Sequence, residues 1–226
     1  MLQQKINELK EKILSMAKII TTMITESINA LTSKDVSIIE KILHEYEPLV
    51  NDKEIEIENL CIQTLALHQP EALDLRTITM FMKINNDLER IGDHAVNIAG
   101  DLQYVLNETR INIENEILTL YNDTIEMLNN SIASLVNKDP ETAIKVCKKD
   151  QEVDDLRNQI IKKIIKTCTS CQMCDESLLD SMLYWILIAK NFERIGDLAT
   201  NIAEDVVYMY SGKIIKHHYL EKQQKK

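Results

Sequence analysis

Turn-forming residues are scarce: 226 residues include only four glycines and three prolines, too few for the frequent turns of a β-sandwich or barrel. Aromatic residues make up 4% of the chain, with one Trp and two Phe, so a core must be packed from aliphatic and methionine side chains. Basic charge is also in deficit. Against 36 acidic residues stand 26 basic ones, a formal net charge of −10, which excludes a generally basic nucleic-acid binder. Long hydrophobic runs are missing too. The longest apolar stretch, from Met182 to Ala189, falls well short of the roughly 20 residues of a membrane-spanning helix. The amphipathic segment Met1 to Lys12 does not resemble a signal peptide. A soluble, cytoplasmic protein is expected. Its five cysteines, Cys61, Cys147, Cys168, Cys171 and Cys174, are odd in number and do not suggest a disulfide framework.

What is present is a 45% apolar fraction, enough to fill a sizeable core. It is spaced as helices space it, and an all-α fold is expected. The few clusters of turn residues mark the boundaries. Thr32 to Asp35 closes a first helix from about Leu2 to Leu31, Gln69-Pro70 a second, and Asn107 to Asn112 a third from about Pro70 to Leu106. Asp139-Pro140-Glu141 reads as an N-cap, a first helical position and a first-turn acid, each suited to the exposed N–H groups of a helix start. That helix should reach about Thr167, and a last one should run from about Asp175 to Tyr210.

The second half repeats the first. Glu89-Arg90-Ile91-Gly92-Asp93 recurs as Glu193-Arg194-Ile195-Gly196-Asp197, and over Glu89 to Val105 eleven of seventeen positions are identical at an offset of 104 residues. Lys34-Asp35 and Lys138-Asp139 share that offset. The period is too long for a solenoid repeat, so two tandem three-helix bundles are expected, over residues 1–108 and 109–212, followed by a basic tail at 213–226.

Beside the apolar stripe of the third helix runs a polar line, Asn86, Glu89, Asp93, Asn97 and Asp101, and it returns in the last helix as Glu193, Asp197, Asn201 and Asp205. Carboxylates four residues apart project from one helix face and can reach one cation or one basic partner. Gly92 and Gly196 each cost a helix about 1 kcal/mol relative to Ala, which suggests that they let a neighbouring helix approach. That neighbour offers Asp150-x-x-x-Asp154 and, 103 residues earlier, Glu47-x-x-x-Asn51. Asp52 with Glu56 is a competing pair, and Pro48 should disturb its turn. Such oxygen donors suit magnesium, manganese or iron. Arg90 and Arg194 read as local ion pairs with the acid three residues on.

Cys168-x-x-Cys171-x-x-Cys174 could hold zinc or part of an iron–sulfur cluster if a fourth ligand came from elsewhere. No second such motif supplies one, and reduced surface thiols are the simpler reading. His44, His68 and His94 are isolated, and His217-His218 lies in the Lys-rich tail.

These motifs carry a resemblance. Gln69-Pro70-Glu71-Ala72-Leu73-Asp74-Leu75-Arg76, Leu88 to Ala99 and the repeat of the latter resemble the PhoU family of bacterial phosphate-signalling regulators over nearly the whole chain. The resemblance implies paired three-helix bundles whose second and third helices form metal sites, here with Glu89, Asp93, Glu193, Asp197, Asp150, Asp154, Glu47 and Asn51 in the ligand positions, for iron, manganese, zinc or magnesium. It also implies a cytoplasmic negative regulator of the phosphate-starvation response, a homodimer linking the ATPase subunit of a phosphate ABC transporter to a sensor histidine kinase and meeting the membrane only through protein partners. Asn51 departs from the family's acid, Leu198 stands opposite His94, and the three-cysteine connection is not part of the family pattern. An accessory subunit of another phosphate or cation transporter would use the same fold. A carboxylate-bridged di-iron enzyme usually needs Glu-x-x-His pairs, and none of the five histidines has a Glu three residues earlier. No phosphate-binding Gly-rich loop or nucleophile arrangement can be placed, so a regulator is expected rather than an enzyme.

Overall fold

The computed structural model describes residues 1–106, 110–170 and 175–215. Of these 91% are helical, with no strand. Unit one comprises α1 (Leu2–Ser33), α2 (Val36–Lys41), a π-helical turn (Ile42–Tyr46), α3 (Glu47–His68) and α4 (Ala72–Val105); unit two comprises α5 (Glu114–Asn137), α6 (Pro140–Ser170) and α7 (Glu176–Ser211).

Helix ends follow the local chemistry. Asp35 accepts from the Ser37 N–H at 2.9 Å, and its counterpart Asp139 accepts from the N–H groups of Glu141 and Thr142 at 3.0 and 3.2 Å. The hydroxyls of Ser37 and Thr142 also donate to these carboxylates, each at 2.7 Å, and these hydroxyl bonds first, then the backbone ones, favour the ionised cap and hold both carboxyls below the usual range. The residue before each, Lys34 and Lys138, is left-handed with φ near 58° and 55°, which ends the preceding helix. Asp175 caps α7 through Leu178 N–H, and Gly212 ends it at φ 70°.

Pro48 does disturb its turn, and the result is the π-helical turn just ahead of it. Proline lacks an N–H and its ring crowds the carbonyl four residues back. The ladder widens instead, with the Glu47 N–H donating to Ile42 five residues earlier.

The bundles lie side by side, with α4 and α7 at the seam making the most extensive interface, α1 and α3 on α4, and α5 and α6 on α7. Apolar residues expected to face the core of α4, from Ile78 to Val105, are buried, and Trp185, Phe81 and Phe192 are the largest wholly buried side chains. Each large aliphatic side chain so buried contributes about 1.5–3 kcal/mol.

Polar ties cross the seam. Lys83 on α4 donates to Asp205 on α7 at 2.8 Å, where Asp205 is 1% exposed. Arg76, from the motif that opens α4, donates through Nε to the Met209 carbonyl at 2.9 Å and lies over the Tyr208 ring. It thereby serves the carbonyl-rich, electronegative end of α7.

Candidate carboxylate sites

The duplicated glycines bring the predicted helices together. A Cβ on Gly92 would lie 3.2 Å from Val50 of α3, and one on Gly196 would lie 3.4 Å from Val153 of α6. The close approach is therefore tighter at Gly92. These contacts also fix the equivalence of α3 and α6. Val50 answers Val153 at an offset of 103, so Glu47 answers Asp150, Asn51 answers Asp154, and Glu54 answers Arg157. From Asp35 to Val50 unit one carries one residue more than unit two does from Asp139 to Val153. The π-helical turn absorbs that residue and keeps Val50 against Gly92 of α4.

In unit two the structure brings Asp154, Glu193 and Asp197 together with arginines. Arg157, unremarked in the sequence, donates to Asp154 Oδ1 at 3.2 Å and to Glu193 Oε1 at 3.1 Å. Arg194 donates to Asp197 at 2.9 Å, the expected pairing three residues on. Thr200 donates its hydroxyl to Asp150 at 3.1 Å. Burial is the main influence pushing Glu193 above its ordinary range. Asp197 adds to the push, and Arg157 and Arg194 oppose it. Asp197 and Asp150 are likewise raised, first by burial. Glu193 is buried, so the acidic line does not simply run beside the core as the sequence suggested.

Unit one is built differently. Glu47, Glu54 and Glu89 are half-buried, whereas Asn51 and Asp93 are exposed. Glu89 is pushed up by burial, then by Asp93 and Glu54, with only Arg90 opposing. Arg90 departs from the expected pairing with Asp93, lying 3.6 Å from Asp87, three residues earlier. The competing acid Glu56 points elsewhere, to Lys12 at 2.6 Å.

A bound metal ion needs several of these donors around one point. Among the described residues no three His, Cys, Asp or Glu side chains converge closely enough to hold one. In unit two the reason is visible, since a guanidinium already lies between carboxylates of the two facing helices. In unit one the donors near Glu89 are hard oxygens, the chemistry a hard cation takes, but they too stop short of converging around one point.

Both units meet at a polar cavity of about 270 Å³ lined by Arg90 and His94 from α4, Asp150 from α6, and Arg194, Asp197 and Thr200 from α7. Beside it His94 Nδ1 lies 2.9 Å from Asn191 Oδ1, and Asn191 Nδ2 reaches Asp101 at 3.5 Å. Burial pushes Asp101 up to about 6. Cys61 and Cys147 are pushed up to about 12 by burial, which suppresses thiolate chemistry. Cys168 is half-buried, while Cys171, Cys174 and the His217-His218 tail lie outside the described residues.

Comparison with known proteins places this architecture. The profile of the PhoU domain matches residues 13–102 and again 117–206. The chain is 32% identical over 212 residues to the phosphate-specific transport system accessory protein PhoU homolog of Clostridium acetobutylicum, covering 93% of this chain and 94% of that one. It is 32% identical over 218 residues to the protein of the same name from Aquifex aeolicus, covering 96% of each. The crystal structure of PhoU from Pseudomonas aeruginosa superposes with a TM-score of 0.88 at 25% identity, over 94% of this chain and all of that one.

Proposed function

The chain belongs to the PhoU family, and from that membership we propose that it is an accessory regulator of a phosphate-specific transport system, a cytoplasmic adaptor that keeps the phosphate-starvation response off when phosphate is plentiful. The observation that carries the proposal is the pair of PhoU domain matches, which together span most of the chain, with relatives of nearly equal length named for that system. In this reading it contacts the transporter's ATPase subunit and a sensor histidine kinase, and works as a homodimer.

Physical features favour an adaptor. No helix among the described residues is long and apolar enough to cross a membrane, so contact with a transporter would run through protein surfaces. A net charge of −10 repels free phosphate, so phosphate status would reach the protein through a partner or a bound cation. Metal enters the proposal at unit one, where Glu54, Glu89 and Asp93 would have to draw closer together to hold magnesium, manganese or iron, and the ion would supply positive charge. Zinc suits oxygen donors alone less well.

The test is genetic and biochemical. Deleting the gene should switch phosphate-starvation genes on at high phosphate, and the wild-type chain should switch them off again. Affinity capture from membranes should recover the ATPase subunit and the kinase. A deletion that leaves those genes silent at high phosphate, or capture of another transporter alone, would reject this reading in favour of an accessory subunit elsewhere.

A further inference from the structure

We propose that unit two carries its own cation: the guanidinium of Arg157 occupies the position between α6 and α7 where the duplicated carboxylate motif would otherwise take a metal ion, so divalent ions do not bind there. The family's pattern sets the expectation of matched sites, and this chain's residues disagree with it. Three observations carry the inference. Arg157 bonds to one carboxylate on each facing helix, Asp154 on α6 and Glu193 on α7, the bridging a shared ion would perform. Its side chain is only 22% exposed, so it is held within the site rather than lying over its mouth. Finally, the Val50 and Val153 contacts place Glu54 at the equivalent position of unit one. One position is thus filled by opposite charges in the two units, and the duplicated acids face a resident cation in one and a further carboxylate in the other.

Electrostatics makes the consequence definite. A divalent ion entering between Asp154 and Glu193 would have to displace a bonded guanidinium and leave that positive charge partly buried beside itself. The inference does not depend on the regulatory reading, because its measurements are made on purified protein.

The full-length protein, stripped with chelator, is titrated with Mn²⁺ by calorimetry. The pair Glu193→Gln with Asp197→Asn should leave the Mn²⁺ stoichiometry and the affinity of any binding unchanged within about twofold. Loss of an Mn²⁺ equivalent in that variant overturns the proposal. Arg157→Glu, which copies the unit-one residue, should gain one Mn²⁺ equivalent, and a folded variant that gains none shows that Arg157 is not what keeps the ion out. Melting supplies a second readout. Arg157→Gln should lower Tm by several degrees, and adding Glu193→Gln should restore part of the loss. If the two substitutions act independently, Arg157 is not the counter-ion and the proposal fails, whether or not Arg157→Glu folds.

Discussion

Gly100 and Gly92 lie on the same helix with opposite surroundings. Nothing lies within 4 Å of a Cβ placed on Gly100, whereas Val50 crowds one on Gly92. Gly100→Ala should raise stability by about 0.5–1 kcal/mol, because alanine restricts the unfolded chain and favours helix. Gly92→Ala should gain nothing or lose, since a β-branched neighbour cannot swing away. Denaturant melts of the two variants side by side check this, and equal gains would mean the helices are not closely apposed. Asp101, one residue on from Gly100, gives a pH signature. Its folded pKa, about 6, lies above its unfolded value of about 3.9. The folded state therefore binds more protons between these values, stability falls as pH rises through that window, and the cost is complete above it. Asp101→Asn should be neutral near pH 4 and stabilising by about 1 kcal/mol at pH 7, discounted because the side chain is only half-buried. Urea melts at the two pH values decide, and an equal effect at both would show that the ionised form carries no penalty.

The π-helical turn makes a prediction about chain length. Deleting exposed Glu45 removes the additional residue, bringing the span from Asp35 to Val50 to the length seen in unit two. The turn should relax to an α-helix with a change of about 1 kcal/mol or less. Deleting exposed Glu58 from α3 instead rotates Cys61 and Thr64 off the core face and should cost several times more. Thermal melts of the two deletions should differ clearly; similar losses would place the spare residue elsewhere. Such register effects mark what the sequence could and could not convey. Helix starts at Asp139 and Asp175, the α4 core stripe and the duplication were legible because each depends on residues within a few turns. The site acids were legible as a motif. Arg157 was not, although its spacing of three from Asp154 was in plain view, because its second bond, to Glu193, exists only once α6 and α7 are packed. The π-helical turn was hidden likewise: Pro48 signalled a disturbance, and only the Val50 contact shows that it conserves register.

The two units are joined by burial and by a few charged ties. Lys83→Met strips a cation from Asp205, which is 1% exposed on the opposite helix, and should destabilise the protein by about 3 kcal/mol. Adding Asp205→Asn should recover part of that loss. The single Trp, Trp185, is buried on α7, so its emission reports whether that helix is docked. If the Lys83 variant melts like wild type, the Lys83–Asp205 tie contributes nothing to holding the seam. A helix so placed also bears on biosynthesis. α7 contacts α4, α5 and α6, yet the ribosome makes it after all of them. Until those residues emerge, the face of α4 that will meet it has no partner, and the last turn of α7 that Arg76 will grip does not exist. The nascent chain must therefore wait, with apolar surface uncovered, for a helix that closes both bundles at once.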